Sequence, residues 1–229
     1  MRSDNALSQL LLSARLFVIL GPYGSGKTEI AVNLAIRLAA LGRRSALADL
    51  DIVNPYFRSR EKEALLRDAG VRLIAPSRGT WAADLPAVPP DVFTLIQDQS
   101  LAGVLDVGGD KGAVVLAAFQ EALLPQRPNL WYVVNQRRQG AENPGALLHQ
   151  LRLIEARAKI PVTGLINNTH LLAETTQDTI TSGAGVVRQL SALSGLPLVF
   201  HGIQEALASS IPQPEPILPL ALMMKRPWE

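Results

Sequence analysis

Short apolar runs recur along the chain at Leu16–Leu20, Ser45–Ala48, Val71–Ala75, Gly103–Leu105, Leu130–Val134, Val162–Ile166 and Leu198–Phe200. Each is apolar on both faces rather than alternating, which is the pattern of a strand buried on both sides of a parallel sheet. The stretches between them carry helical spacing. Ile30, Leu34, Ile36, Leu38 and Leu41 mark one such helix, and Gly42 closes it. This rhythm predicts an α/β fold: a three-layer sandwich with a mostly parallel central sheet, helices on both faces and right-handed crossovers. Ligands of such sheets bind at the carboxyl ends of the strands, so the residues just after each run are the ones to inspect.

A chain of 229 residues that is 48% hydrophobic can bury a full core, and we expect one domain over residues 1–229. Its core should span about 15–205 and be followed by a proline-rich tail over about 211–229. The tail holds an apolar stretch, Ile217 to Met224, which is expected to dock on the domain or at an oligomer interface. A short membrane-surface helix is the alternative that Pro219 disfavours. At the other end, Met1 to Asn5 is polar and Arg15 interrupts the apolar stretch Leu7–Leu20, so neither a signal peptide nor a membrane span is expected. Charged residues make up 18% and the net charge is +2, which provides no polybasic field for nucleic acid. With no cysteine, disulfides, thiolate metal sites and cysteine nucleophiles are excluded, and a cytoplasmic protein is expected.

The chemistry starts after the first run. Gly21-Pro22-Tyr23-Gly24-Ser25-Gly26-Lys27-Thr28 matches the phosphate-loop spacing G-x-x-x-x-G-K-[ST] and leads straight into an amphipathic helix. Glycines let the backbone curl so that successive N–H groups and the helix N-terminus point at phosphate oxygens. Lys27 is expected to bridge β- and γ-phosphates and the Thr28 hydroxyl to take one Mg²⁺ position. Candidate nucleotide contacts are therefore Gly21, Gly24, Ser25, Gly26, Lys27, Thr28 and Glu29, in a P-loop fold of Rossmann type.

Such a cradle needs carboxylates at adjacent strand ends. Asp49 and Asp51 follow the second run and share one face of an extended backbone, which suits an acid that organises metal and another that organises water. Val104-Leu105-Asp106-Val107-Gly108-Gly109-Asp110 has the form of a Walker B strand. Asp106 would hold Mg²⁺ through water, and the Gly109 amide, in a flexible loop, would sense the γ-phosphate. The candidate catalytic set is Lys27, Asp49 and Asp51, and the candidate metal set is Thr28, Asp49 and Asp106.

With these motifs in view, the sequence resembles the SIMIBI class of P-loop proteins, in particular the ParA/MinD/CobQ-CobB nucleotide-binding superfamily. The shared features are the P-loop, the acidic pair, the DVGG strand and Gly164-Leu165-Ile166-Asn167-Asn168. DLDIVNPYFRSRE together with GLINNTHL is also similar to a bacterial group described as ATP-binding proteins. Many ParA/MinD-type members carry an early P-loop lysine that reaches a dimer partner's nucleotide, whereas this chain has Pro22. The resemblance thus implies a homodimer only if another cation, Arg58 or Arg60, takes that part.

Guanine recognition needs a carboxylate just beyond an apolar strand, and neither Val133-Val134-Asn135 nor Ile166-Asn167-Asn168 leads to one. Asparagine amides both donate and accept, as adenine's edge requires. ATP is therefore expected over GTP, with Asn167 and Asn168 as base contacts and Asn135 as a further candidate. His149, His170 and His201 show no metal-site spacing. Trp81 reads as a loop anchor. The leading expectation is a Mg²⁺-dependent switch ATPase that signals to an unknown protein partner. The alternatives are a phosphotransferase or ligase of the dethiobiotin-synthetase type, with Arg78, Asp84 and Arg137–Arg138 near a metabolite, and an assembly factor that hydrolyses slowly.

Overall fold

The computed structural model describes residues 2–50, 62–75, 91–141, 143–211 and 213–223. Every apolar run of the sequence is a strand: β1 (Leu16–Leu20), β2 (Arg44–Asp49), β3 (Val71–Ile74), β4 (Leu101–Asp106), β5 (Asn129–Val134), β6 (Gly164–Asn167) and β7 (Leu198–Gln204), to which β8 (Ile217–Leu220) is added. They form one sheet in the order β3-β2-β4-β1-β5-β6-β7-β8, and every neighbouring pair runs parallel. β1 lies between β4 and β5, where the strand order reverses, so the crevice at the strands' carboxyl ends opens beside it.

Helices cover both faces. They are α1 (Arg2–Ser13), α2 (Lys27–Ala40), α3 (Glu63–Asp68), α4 (Asp91–Gln97), α5 (Gly109–Ala117), α6 (Gln120–Leu123), α7 (Pro144–Ala158), α8 (Gln177–Ser194) and α9 (Glu205–Ala208). One face packs Leu7 and Leu11 of α1, Ile30, Leu34 and Leu38 of α2 and Leu66 of α3 against Phe17, Ile19, Leu47, Val104 and Val133. The other packs α4, α5, α7 and α8 against Val18, Leu20, Ala46, Ala48, Leu105 and Val134. Alternate residues of the same strand thus enter opposite cores, as continuous apolar runs require. Phe17 of β1, Trp131 of β5 and Phe200 of β7 form a row that passes over β6, with ring centroids 5.1 and 5.5 Å apart. Contacts of this kind add about 0.5–1.5 kcal/mol per pair beyond the area they bury.

Helix α2 ends as its sequence predicts. Gly42 takes φ 80°, its N–H reaches the Ala39 carbonyl, and the Arg43 N–H reaches the Leu38 carbonyl, which together make a Schellman cap. Arg15 caps a distant helix: its guanidinium donates to the carbonyls of Leu95, Ile96 and Asp98, satisfying the end of α4.

Two elements add to the expected pattern. The N-terminal apolar stretch is not all approach to β1, because Leu7 and Leu11 lie four residues apart on α1 and are fully buried. The apolar stretch of the proline-rich tail docks on the domain, and it does so as a strand: Ile217–Leu220 pairs with β7 as the edge strand β8. Pro219 suits that edge, where an outward backbone position needs no donor. Beyond β8 the Asn33 side chain of α2 mimics a strand: its Nδ2 donates to the Ala221 carbonyl (3.1 Å) and its Oδ1 accepts from the Ala221 N–H (2.9 Å). Among the described residues, no helix is long and apolar enough to cross a membrane.

Asn33→Ala leaves both Ala221 backbone groups unmatched and should cost about 1–3 kcal/mol, lowering the thermal midpoint by several degrees. Hydrogen exchange should show the loss of protection concentrated at residues 217–223 rather than spread over the sheet.

Candidate functional site

The loop between β1 and α2 curls through two glycines in the left-handed region, Gly24 (φ 74°) and Gly26 (φ 85°), which residues with a Cβ adopt at a cost. Space forbids a side chain there as well. A Cβ on Gly26 would stand 2.2 Å from Asn168 Nδ2, and one on Gly24 would stand 2.9 Å from Arg138 Nε. Gly26 is the N-cap of α2 and no side chain caps the helix, so the first-turn N–H groups stay available to an anion. Lys27 is buried and donates from Nζ to the Pro22 carbonyl at 3.0 Å, folding its charge over the loop. Ser25 Oγ is buried and, among the described residues, makes no hydrogen bond. A buried hydroxyl, an uncapped helix start and a cation at one place fit a phosphate group.

Strand register brings the acids to this loop. Asp49 pairs with Asp106 at the ends of β2 and β4, and Asp106 pairs with Ile19 of β1. Paired residues share a face, and both aspartates fall on the α2 side, in step with Leu47 and Val104 two residues earlier. Asp49 and Asp106 are buried, as is Thr28. These are oxygen donors only, the chemistry that suits Mg²⁺; phosphates and waters ordinarily complete its shell. Among the described residues there is no group of three or more His, Cys, Asp or Glu that would hold a metal without a ligand's help. Gly109 is placed beside Asp106, but as the first residue of α5 rather than within a loop, and that helix start also lacks a side-chain cap. Asp51, Arg58, Arg60, Arg78, Trp81 and Asp84 lie outside the described residues.

The loops after β5 and β6 form the opposite wall, clipped together by Asn135. Its Oδ1 accepts from the N–H groups of Arg137 (3.0 Å) and His170 (3.3 Å), and its Nδ2 donates to the His170 carbonyl (3.4 Å). Asn168 does reach the P-loop, but its Nδ2 donates to the Ser25 carbonyl at 2.8 Å while its Oδ1 lies against Gly202, so the amide braces the loop. Asn167 is further from the role expected of it. Its Oδ1 accepts from the Thr169 N–H and hydroxyl and its Nδ2 donates to His201 Nδ1 at 3.0 Å, all of it buried. The Glu29 side chain is engaged elsewhere: its Oε1 accepts the Met223 N–H at 2.6 Å, so the contact expected of Glu29 would be made by its backbone N–H. Arg138, named in the sequence only as a metabolite candidate, donates from Nε to the Gly24 carbonyl at 2.8 Å.

The sequence matches the model of the CobQ/CobB/MinD/ParA nucleotide-binding domain over residues 17–181. The chain belongs to this family. No curated protein matches the sequence. Among solved structures, chloroplast FtsY from Physcomitrella patens superposes with a TM-score of 0.58 at 20% identity, over 84% of this chain and 59% of that one. FtsY from Thermotoga maritima gives 0.57 at 21% identity, over 84% and 62%. The signal recognition particle receptor FtsY from Elizabethkingia anophelis in complex with GDP gives 0.53 at 18% identity, over 87% and 64%. The chain thus spans about three fifths of each of these, and at such identities the likeness is one of fold. A P-loop, SIMIBI-class α/β sandwich that binds nucleotide is what the sequence led us to expect.

Around this family site the structure builds a polar chain that the sequence does not advertise. His201 is fully buried, with Nδ1 facing Asn167 Nδ2 and Nε2 facing Glu215 Oε2 at 2.9 Å; Arg188 grips Glu215 through Nε (2.8 Å) and a terminal nitrogen (2.6 Å). Because the Asn167 amide nitrogen can only donate, His201 Nδ1 accepts, and its proton sits on Nε2. Arg188 and His201 hold the Glu215 carboxyl down to about 2, with the arginine the larger cause. Burial pushes His201 below the ordinary histidine value and takes His170 down to about 4, the latter with help from the Arg138 guanidinium.

The two depressed histidines set a pH dependence. Between the ordinary value of 6.5 and about 4, the unfolded chain takes up a proton that folded His170 refuses, so stability falls as pH drops through that window. The thermal midpoint measured without nucleotide should decline from pH 6.5 toward 4. His170→Gln should flatten the slope, leaving the part that belongs to His201.

Proposed function

We propose that this chain is a Mg²⁺-dependent ATPase of the switch type, which orders loops around the γ-phosphate and is read by a protein partner. The observation that carries the proposal is the in-register pair Asp49 and Asp106, buried at the ends of β2 and β4 on the α2 side of the sheet, beside an uncapped phosphate loop. Backbone N–H groups of the loop and of the uncapped start of α2 cradle the phosphates, with the Ser25 N–H exchanging its bond to the Pro22 carbonyl, and Ser25 Oγ is on hand for one oxygen. Lys27 exchanges its bond to the Pro22 carbonyl for the β- and γ-phosphates. Thr28 and Asp106 hold Mg²⁺, which when bound neutralises phosphate charge. Asp49 orients that cluster, and Asp51 is assigned the attacking water.

ATP is favoured over GTP because guanine presents two adjacent donors that need a carboxylate, and the described residues of 135–141 and 168–173 contain none. Switching is favoured because Asp49 leads through Leu50 into the segment carrying Asp51 to Arg60, while Asp106 leads into the uncapped start of α5. A nucleotide that touches both strand ends biases both following segments. The family's nucleotide chemistry and the lack of a membrane-spanning helix among the described residues suit a cytoplasmic protein. The homodimer stays a proposal, dependent on Arg58 or Arg60.

Calorimetric titration with ATP and GTP in the presence of Mg²⁺ tests this directly. Lys27→Ala should weaken ATP binding about tenfold to a hundredfold, the size of a charge-assisted bond removed. Asp106→Asn should leave binding measurable while raising the Mg²⁺ concentration needed for phosphate release. Tighter binding of GTP than of ATP would overturn the choice of base, and no binding of either nucleotide would sink the proposal.

A further inference from the structure

The loop's carbonyl side, opposite its phosphate-facing amides, is covered by three side chains from the loops after β5 and β6. Arg138 meets Gly24, Asn168 meets Ser25, and His170 stands with Nε2 3.4 Å from where a Gly26 Cβ would lie. Asn168 Nδ2 is committed to the Ser25 carbonyl, and Asn135 is committed to holding the two loops together.

Arg138 is different. Its Nε bond to the Gly24 carbonyl fixes the guanidinium, whose Nε, Cζ and Cδ lie 2.9, 3.1 and 3.4 Å from the Gly24 Cβ position, so the plane rests on a residue with no side chain. Its backbone is fixed as well: the Arg138 N–H donates to the Asn135 carbonyl at 3.0 Å and its carbonyl accepts from Ala141 at 3.0 Å. Yet the side chain is exposed, and among the described residues its two terminal nitrogens make no hydrogen bond. Beside it, His170 Nδ1 accepts from the Leu172 N–H at 3.4 Å, which leaves the ring proton on Nε2. A fixed, flat, exposed cation on the carbonyl side of a phosphate loop is misplaced for phosphate. It is well placed for a planar π-system carried beyond the α-phosphate.

Resting on the nucleotide reading above, the geometry points to Arg138 as the platform on which the nucleobase stacks, with the His170 Nε2–H as a donor at the base's rim. A guanidinium lies flat on an aromatic face through its plane and its charge together, which an ammonium cannot reproduce. Glycine at position 24 is then required twice, for its backbone angle and for the seat it gives this side chain.

The test separates base from phosphate by titrating ATP and inorganic tripolyphosphate into the wild type, Arg138→Ala and Arg138→Lys with Mg²⁺ present. Lysine keeps the charge and a donor for the Gly24 carbonyl but has no plane. ATP should weaken about tenfold in both variants, the scale of one lost base stack, while in Arg138→Lys, which keeps a donor for the Gly24 carbonyl, tripolyphosphate affinity and the nucleotide-free melting temperature stay at the wild-type values. Equal loss of ATP and tripolyphosphate in Arg138→Lys would assign the residue to phosphate and overturn the platform, as would ATP binding unchanged in Arg138→Ala. Wild-type protein that binds neither ligand would instead refute the nucleotide reading beneath it.

Discussion

A phosphate loop must keep its amides unpaired and turned inward, and backbone in that state has little of its own to hold it. Here the Ser25 N–H and Lys27 Nζ meet the Pro22 carbonyl from within, and further support comes from outside. The Gly24 and Ser25 carbonyls, turned the other way by the same curl, are each met by a side-chain donor, from Arg138 and Asn168. The two left-handed glycines that permit the curl also leave the room in which those donors sit. Backbone conformation, packing and anion affinity are thus one constraint seen three ways. Asn135 matters because it keeps the supporting loops together, though it touches no part of the P-loop itself in the hydrogen bonds described.

The same loops are tied to the far edge of the sheet. From Thr169 the hydrogen bonds run through Asn167, His201 and Glu215 to Arg188, crossing from β6 to the residues that precede β8. On the other side of the P-loop, Glu29 and Asn33 of α2 hold residues 221 and 223. The C-terminal segment is therefore anchored to both walls of the site. A buried polar chain of this kind adds rigidity to the strand ends; its Arg188–Glu215 pair is charged, and burial keeps the His201 ring between them and Asn167 neutral near neutral pH.

Chain pattern alone made strands β1 to β7, the helix that carries the phosphate loop and the loop itself legible, because each depends on local properties: apolar runs, helical spacing and glycine at fixed offsets. The edge strand β8 and the helix α1 were not legible in the same way. β8 contains a proline, which only its position at the sheet's edge excuses, and α1 is recognisable by two leucines whose burial depends on α2. Among site residues, Lys27, Thr28, Asp49 and Asp106 could be named because a motif or a strand end marks them.

What the chain by itself determined is which segments are strands and that the first of them ends in an anion cradle, since those follow from periodicity and from backbone freedom at glycine. Only the tertiary structure decided what the strand-end side chains do. Asn167, Asn168 and Glu29 were all placed near the site by sequence, but Asn167 Nδ2, Asn168 Nδ2 and Glu29 Oε1 are taken by His201, Ser25 and Met223, partners 34, 143 and 194 residues away in the chain. Arg138, without a motif of its own, reaches the loop across 114 residues. The physical reason is that a hydrogen bond is a contact in space, and which distant group satisfies an amide or a carboxylate is settled by strand order and register rather than by spacing along the chain.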